Sequence, residues 1–181
     1  MLLTTAKSKN TVTIRHAQGR FLYRKLICDT ELSPAHKRLN NMIYETKNRN
    51  ETFELGNKLS EAVSPGDIYC LSGDLGAGKT AFAQGFAEGL GVKEDVTSPT
   101  FTILCVYEGG RLPFYHFDVY RFEDSFELED IGGDEYLYGD GVCLIEWPEK
   151  IKDHLPENTK NVVITKDIAK GEDFRRIETD F

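Results

Sequence analysis

Short apolar runs alternate with polar segments along the chain, and the spacing of the apolar positions changes between helical and alternating. Residues 68–71 (IYCL) are apolar without a break and predict a buried strand that runs into a glycine-rich segment. In the stretch that follows, Phe82, Phe86 and Leu90 recur at helical spacing, and Gly91 is a typical helix terminator. The pattern therefore predicts a strand, a glycine-rich turn and a helix in direct succession.

A further helix is predicted before this unit. Asn50 is a suitable N-cap, because its side-chain oxygen can accept hydrogen bonds from the free amides of a first helical turn. The apolar residues that follow have roughly helical spacing, at Phe53, Leu55, Leu59 and Val63. Ser-Pro-Gly-Asp at residues 64–67 provides strong turn chemistry and ends the predicted helix.

The second half of the chain is richer in strand patterns. A Glu-Gly-Gly-Arg turn at residues 108–111 indicates a hairpin, while residues 124–131 and the stretch after Pro148 favour short helices. The predicted strands cover residues 101–107, 112–122, 141–147, 161–165 and 174–179. Helices that first alternate with strands, followed by hairpins, indicate an α/β domain with a central mixed sheet flanked by helices.

Charge divides the chain unevenly. The net charge of −8 argues against nucleic-acid binding by bulk electrostatics. Residues 1–41 carry eight Lys/Arg and two Asp/Glu, whereas residues 42–181 carry fourteen and twenty-eight. The first segment is therefore treated as a basic N-terminal extension and the second as the folded domain. Because no apolar run could span a bilayer and the start does not resemble a secretory signal, a cytoplasmic protein is expected.

Residues 73–80 read GDLGAGKT and fit G-x-x-x-x-G-K-[ST], the pattern of a phosphate-binding loop, between a predicted strand and a predicted helix. Glycines allow the close backbone approach and the converging N–H groups that a phosphate chain requires. The Lys79 ammonium is expected to bridge the β- and γ-phosphates, and the Thr80 hydroxyl is a hard oxygen ligand suited to Mg²⁺. The predicted nucleotide-binding residues of this segment are Gly73, Leu75, Gly76, Ala77, Gly78, Lys79, Thr80 and Ala81.

A phosphate-bound Mg²⁺ calls for a carboxylate at the end of a neighbouring strand, and two acids qualify. Glu146 ends the cleaner buried strand and is the preferred Mg²⁺-side group. Asp118 ends the YHFD segment and could hold a metal-bound water or orient the attacking one, and the residues alone do not rank the two acids firmly. His116 is as compatible with a hydrogen-bonded sheet histidine as with a catalytic base, and Trp147 with packing near the nucleotide as with filling the core.

Two further segments have alternative interpretations. Residues 98–101 (SPTF) lie where P-loop proteins can sense the γ-phosphate through order and disorder, or they form an ordinary turn. The acidic run at residues 123–130 is a solvated helix face or a docking surface for a basic partner.

Four segments taken together resemble the TsaE (formerly YjeE) family of bacterial tRNA threonylcarbamoyladenosine synthesis. They are GDLGAGKT, TSPTF, YHFDVYR and CLIEWPE, in that order, and they cover about residues 50–150. The phosphate loop alone is generic, whereas the joint presence of SPTF, HFDVYR and IEWP is specific. The resemblance implies a single P-loop α/β domain that binds ATP with Mg²⁺ and hydrolyses it slowly to ADP and phosphate.

The same resemblance implies partners and residue roles. The partner would be the TsaB–TsaD complex, which transfers the threonylcarbamoyl group to ANN-decoding tRNAs and would be reset by hydrolysis between cycles. Association with tRNA would then be indirect, through that complex. The adenine pocket of the family falls near Thr52. The other motif roles of the family fall on Lys79, Thr80, Asp118, Glu146 and Trp147.

The chain departs from the family at both ends. Family members usually begin near the position of Met42, so Met42 is expected to be the natural start, with residues 1–41 a misassigned upstream reading frame or an added segment. If the basic segment is native, it could contact tRNA. The sequence ends with FRRIETDF, where family members often continue further, and either Arg175 or Arg176 is a candidate to reach the nucleotide.

Three other functional classes also use a phosphate loop. A small GTPase is disfavoured, because the Asn57-Lys58 pair lies before the loop and lacks the following Asp of the guanine-specific N-K-x-D pattern. A small-molecule kinase is disfavoured, because Arg111 and Arg121 are the only arginines in residues 51–174 that could supply a lid. A nucleotide-dependent adaptor without catalysis overlaps with the ATPase interpretation and stays open.

Overall fold

The computed structural model describes residues 11–15, 22–27 and 41–181. Its strands are β1 (Thr11–Arg15), β2 (Leu22–Ile27), β3 (Met42–Thr46), β4 (Ile68–Ser72), β5 (Leu104–Tyr107), β6 (Phe114–Asp118), β7 (Val142–Glu146), β8 (Lys160–Lys166) and β9 (Arg175–Thr179). Its helices are α1 (Arg49–Ser60), α2 (Lys79–Gly89), α3 (Glu127–Asp130) and α4 (Gly133–Leu137), with 3-10 helices at Pro148–His154 and Ile168–Lys170. Among these residues no helix combines the length and apolar character needed to cross a membrane.

The strands of the described residues form one mixed sheet in the order β1-β2-β3-β9-β8-β4-β7-β6-β5. The central strands β8, β4, β7 and β6 are parallel neighbours, and β5 pairs antiparallel with β6 at one edge. On the other side β9, β3, β2 and β1 add antiparallel pairs. The predicted α/β fold with a mixed sheet flanked by helices is confirmed, and the strand that leads into the glycine-rich loop is central.

Helices cover both faces of the sheet. On one face α1 and α2 bury Leu55, Phe82 and Phe86 against side chains of the central strands such as Leu71 and Leu144. The opposite face packs Cys70, Phe117 and Ile145 against the short helices, through residues that include Leu128, Leu137 and Ile151. Strands β4 and β7 are therefore buried on both faces, which explains why their sequences are continuous apolar runs.

Glycines let α1 and α2 approach each other closely. A Cβ atom at Gly56 would overlap the carbonyl oxygen of Phe82, and one at Gly85 would overlap the carbonyl oxygen of Phe53. This contact places the N-terminal end of α1 beside the N-terminal end of α2, where the glycine-rich loop ends.

Three predicted boundaries were wrong. The N-cap of α1 is Asn48 rather than Asn50, since the Asn48 side chain accepts a 2.9 Å hydrogen bond from the Glu51 amide. The first hairpin strand begins at Leu104 rather than at residue 101. The preceding Ile103 has a positive φ of 66° and donates its amide to the Pro99 carbonyl at 2.6 Å, which forms a turn. The return strand is likewise shorter, because the Phe122 amide donates to the Val119 carbonyl and turns the chain after β6.

Two elements carried too little local signal to be predicted. Strand β3 is five residues long and is defined by its pairing with β9, in which Tyr44 is opposite Ile177, 133 positions later in the chain. Helix α4 follows α3 after Gly132, which adopts a left-handed conformation with φ 68°. Strands β1 and β2 belong to the basic segment at residues 1–41, most of which lies outside the described residues; its native status stays a prediction.

Candidate nucleotide-binding site

The loop between β4 and α2 is built by glycines with positive φ. Gly73, Gly76 and Gly78 have φ values of 151°, 71° and 109°. A Cβ atom at Gly73 would lie 2.5 Å from the carbonyl oxygen of Ile164, so a larger residue cannot occupy that turn. Gly78 caps α2 without any side-chain hydrogen bond, which leaves the first amides of the helix available to an external acceptor. A loop of this form fits a phosphate group.

Lys79 begins α2 and lies in the floor of the loop. Only 6% of its side chain is exposed, and its Nζ donates to the carbonyl oxygens of Gly73 at 2.8 Å and Asp74 at 3.3 Å. The same Nζ lies 4.0 Å from Oε2 of Glu146 and 4.2 Å from the ring centroid of Trp147. Burial lowers the pKa of Lys79 from its ordinary value, and the nearby Glu146 and other carboxylates oppose that shift.

The Asp118 carboxylate is held by three donors. Its Oδ2 accepts hydrogen bonds from the hydroxyls of Ser98 at 2.9 Å and Thr100 at 2.6 Å. Its Oδ1 accepts a 3.1 Å hydrogen bond from the Tyr120 amide, and only 3% of the residue is exposed. The SPTF segment therefore lies directly against the end of β6, and Asp118 is fixed in one orientation.

The Glu146 carboxylate lies between a histidine and a lysine. His116 Nε2 is 3.0 Å from Oε1, while Oε2 is the oxygen nearest to Lys79. The next residue, Trp147, has a positive φ of 62°, and its ring lies 4.9 Å from that of Tyr120. This turn places the indole at the edge of the loop, so Trp147 packs beside the candidate site rather than deep in the core.

A cavity of about 540 Å³ joins these groups. The predicted site residues that line it are Thr52, Leu75, Gly76, Gly78, Lys79, Thr80, Ala81, Asp118, Glu146 and Trp147. Gly73 and Ala77 do not line it. Their carbonyl oxygens instead accept hydrogen bonds from Lys79 and from Arg175, so both residues shape the loop from behind.

The family model described as threonylcarbamoyl adenosine biosynthesis protein TsaE matches residues 46–176. The chain belongs to the TsaE family. The TsaE protein of Bacillus subtilis is 49% identical over 134 residues, which are 74% of this chain and 82% of that protein. The TsaE protein of Treponema pallidum is 44% identical over 117 residues, 65% of this chain and 86% of its own length. The crystal structure of Bacillus subtilis YdiB aligns with a TM-score of 0.68 at 40% identity, covering 80% of this chain and 87% of that one.

In this member of the TsaE family, several cavity residues were not predicted from the sequence. Asn48, Arg49 and Asp173 line the cavity, and the Arg49 guanidinium donates to the Gln84 side chain. No local signal marks them, because their proximity to the loop depends on the packing of α1 on α2 and on the path into β9. Tyr120 also lines the cavity, two residues after Asp118.

The two arginines at the start of β9 are distinguished by their positions. Arg175 lines the cavity, and its Nε donates to the Ala77 carbonyl oxygen at 2.7 Å. Arg176 alternates to the other side of the strand, where it pairs with Glu178. Arg175 is therefore the arginine placed next to the loop.

The donors at the cavity fit a magnesium ion that is shared with a phosphate. In the described part of the chain, no group of three or more His, Cys, Asp or Glu side chains could hold a metal ion. Thr80 and Glu146, the two predicted ligands, both line the cavity together with Asp118. Such a sparse set of hard oxygen donors suits Mg²⁺, which keeps several waters and takes its other ligands from a bound phosphate chain.

Proposed function

We propose that this protein is a weak Mg²⁺-dependent ATPase that acts in the threonylcarbamoyladenosine modification of tRNA. The observation that carries the proposal is that the glycine-rich loop, the start of α2 and two strand-end carboxylates line one cavity. The Lys79 ammonium and the open end of α2 face the carboxylates of Asp118 and Glu146, which end adjacent strands. A loop that binds phosphates, set beside two fixed carboxylates, suits phosphoryl transfer from a nucleotide.

The roles of the residues follow from their positions. The amides of Gly76, Gly78 and the first turn of α2 would bind the phosphates, with Lys79 bridging the β- and γ-phosphates. Thr80 and Glu146 would hold Mg²⁺, which neutralises charge that develops on the phosphoryl oxygens. Asp118 would orient the attacking water, because its carboxylate is already fixed by hydroxyl and amide donors. The base would lie along Thr52 and the N-terminal end of α1.

Slow hydrolysis by the isolated protein is expected because the two arginines that line the described cavity already have hydrogen-bond partners. Among the described residues, Arg49 and Arg175 line the cavity, but they donate to Gln84 and to the Ala77 carbonyl. Phosphoryl-transfer enzymes that lack a mobile arginine are commonly completed by a partner protein. Stimulation by a partner is therefore part of the proposal.

The partner proposed is the TsaB–TsaD complex, which hydrolysis would reset between rounds of transfer to ANN-decoding tRNA, with tRNA contacted through the complex. The relatives named TsaE in tRNA threonylcarbamoyladenosine biosynthesis support this pathway. Leu75 in the loop and Phe101 beside Thr100 are 85% and 84% exposed, so a partner that contacts them would sense the nucleotide. We place the activity in the cytoplasm.

Calorimetric titration with ATP and with GTP, each with and without Mg²⁺, tests the proposed function. ATP should bind with a clear preference over GTP, and Lys79→Ala should weaken ATP binding at least about tenfold through loss of a charge-assisted contact. Lys93→Ala removes an exposed lysine outside the cavity and should bind ATP as the wild type does. Absence of ATP binding by the wild type, or equal binding by Lys79→Ala, would contradict the proposal.

A further inference from the structure

One buried histidine touches the candidate site without lining its cavity. His116 lies on β6 with none of its surface exposed, and its Nε2 is 3.0 Å from Oε1 of Glu146. Its ring stacks on that of Phe114, with centroids 5.9 Å apart and an interplanar angle of 21°. His116 does not line the cavity, so it would act on a bound nucleotide through a neighbour that does, and its side chain contacts Glu146.

The sheet register brings the two side chains together. In the parallel pairing of β6 with β7, His116 is opposite Leu144 and Asp118 is opposite Glu146. His116 and Glu146 are therefore diagonal neighbours on the same face of adjacent strands, a separation that long side chains can bridge. His116 belongs to β6 and Glu146 to β7, and both strands are largely buried, which restricts the movement of the two side chains.

Hydrogen-bond chemistry assigns the proton in this contact. In the proposed function Glu146 holds Mg²⁺ as an ionised carboxylate, which only accepts hydrogen bonds, so Nε2 of His116 is the donor in this contact. The Nδ1 atom is buried and has no hydrogen-bond partner among the residues that the structure describes. A buried polar atom without a partner is unfavourable, and a well-packed apolar side chain at this position would avoid that cost. Within the described part of the chain, Glu146 is the hydrogen-bond partner of the His116 side chain.

We propose that His116 is a positioning residue for Glu146. It binds Oε1 and so leaves Oε2 directed at the cavity, 4.0 Å from Lys79 Nζ. Without that donor, Glu146 is free to rotate and to pair more closely with Lys79, whose ammonium is needed by the phosphates. The inference rests on the proposed function, in which Glu146 holds Mg²⁺ at a bound ATP.

Three variants separate positioning from packing. His116→Phe keeps a ring that can stack on Phe114 but has no donor, whereas His116→Gln keeps an N–H donor at a similar reach. Phe117→Leu is the matched control, because Phe117 is buried on the opposite face of the same strand and packs away from Glu146. A loss of function that comes from general weakening of β6 would appear in all three variants.

Steady-state ATP hydrolysis over a series of Mg²⁺ concentrations is the main readout. His116→Phe should lower kcat about tenfold and raise the Mg²⁺ concentration needed for half-maximal rate, with a much smaller change in KM for ATP. His116→Gln should recover most of the lost kcat, and Phe117→Leu should leave both quantities near the wild-type values. Equal kcat and Mg²⁺ dependence in His116→Phe and wild type would overturn the inference, as would equal losses in His116→Phe and Phe117→Leu.

A second readout needs no nucleotide and no activity. Trp147 is the single tryptophan of the chain. It follows Glu146 in the sequence, and its ring packs against the Lys79 ammonium. Its fluorescence in the nucleotide-free protein should change in His116→Phe and stay near wild type in His116→Gln and Phe117→Leu. Unchanged fluorescence in His116→Phe would overturn the inference. Failure of the wild type to bind ATP would instead overturn the proposed function, while the fluorescence result would still judge the contact with Glu146.

If His116→Phe fails to fold, a pair of amide variants keeps the test decisive. His116→Gln and His116→Asn carry the same amide donor and differ in reach by one methylene. The Gln variant should retain kcat and the Asn variant should lose it, because only the longer side chain reaches Glu146. Equal kcat in the two variants would contradict positioning by His116.

Discussion

Asp118 and Glu146 are direct partners in the parallel register of β6 and β7. Parallel strands end at the same edge of a sheet, so this pairing sets the two carboxylates side by side at the mouth of the loop that follows β4. Glu146 is also opposite Leu71 of β4, which makes it the inner of the two acids and the one near Lys79. Asp118 lies one strand further out, against Ser98 and Thr100. The order of the strands therefore favours different roles for two acids that the sequence did not rank firmly.

The first prediction separates those roles. Asp118→Asn should reduce kcat for ATP hydrolysis by roughly 100-fold or more, because the carboxylate that orients the attacking water is lost. ATP affinity should stay nearly unchanged, because Asp118 makes no proposed contact with the phosphates. Glu146→Gln should instead weaken Mg²⁺ binding and raise the Mg²⁺ concentration needed for half-maximal rate, so that part of the lost rate is recovered at high Mg²⁺ concentration. Steady-state kinetics combined with equilibrium ATP binding measures both effects. The same Mg²⁺ response in the two variants would contradict separate roles.

The second prediction concerns the arginine at the loop. Arg175→Ala should weaken ATP binding about tenfold, because the guanidinium that donates to the Ala77 carbonyl also fixes the back of the phosphate loop. Arg176→Ala is the matched control, since Arg176 pairs with Glu178 and does not line the cavity. Equal ATP affinities for the two variants, measured by calorimetry, would show that Arg175 has no part in shaping the loop.

The third prediction tests the close approach of α1 and α2. Gly85→Ala would force a methyl group against the Phe53 backbone carbonyl, which cannot move aside as a side chain could. We expect the free energy of unfolding to fall by about 1–3 kcal/mol, as in other overpacked cores. ATP binding should weaken as well, because α1 carries Arg49 and Thr52 of the cavity. Urea unfolding measures the first effect, with Glu88→Ala on the exposed face of α2 as the control.

The fourth prediction is a dependence of stability on alkaline pH. Burial raises the pKa of the Cys143 thiol to about 12 and that of Cys70 to about 11, from an ordinary value of 9.0. Above that ordinary value the unfolded chain binds fewer protons than the folded protein at these two thiols. Their contribution to stability is therefore complete below about pH 9 and is lost as pH rises toward about 12.

The measurement for this effect is the urea midpoint at about pH 8 and about pH 10 in the wild type and in Cys143→Ala, which lacks one of the two thiols. Cys143→Ala should have a lower urea midpoint at about pH 8, because the substitution leaves a cavity. Its midpoint should fall less between the two pH values than that of the wild type. Comparing the two proteins removes the contributions of other groups, including Lys79, whose lowered pKa acts in the opposite direction. An equal loss in both proteins would contradict the effect of the buried thiol.

Much of the fold could be predicted because the local patterns are strong. The apolar runs at β4 and β7 and the spacing of Phe82, Phe86 and Leu90 each match a buried element. Strand β3 was missed because it depends on a distant partner. Strand β3 has only five residues and is completed by β9 at the other end of the domain. Neither its existence nor its position can be read from local periodicity.

The candidate site shows the same division. The loop residues were predicted because their spacing is a local motif, and the two acids were predicted because each ends a strand pattern. The cavity wall formed by Asn48, Arg49 and Asp173 was not predicted, because these residues come near the loop only through the packing of α1 and the path into β9. The contact of His116 with Glu146 was also missed, because it depends on a strand register that no local pattern encodes.

ATP turnover by the purified protein, alone and with purified TsaB–TsaD, tests the central claim most directly. Slow turnover alone, strong stimulation by the complex and loss of both in Lys79→Ala are expected if the cavity beside Asp118 and Glu146 is the catalytic site. Lys93→Ala should be stimulated as the wild type is. Rapid turnover without stimulation, or stimulated turnover that survives Lys79→Ala, would contradict the claim that this loop hydrolyses ATP for the tRNA-modifying complex.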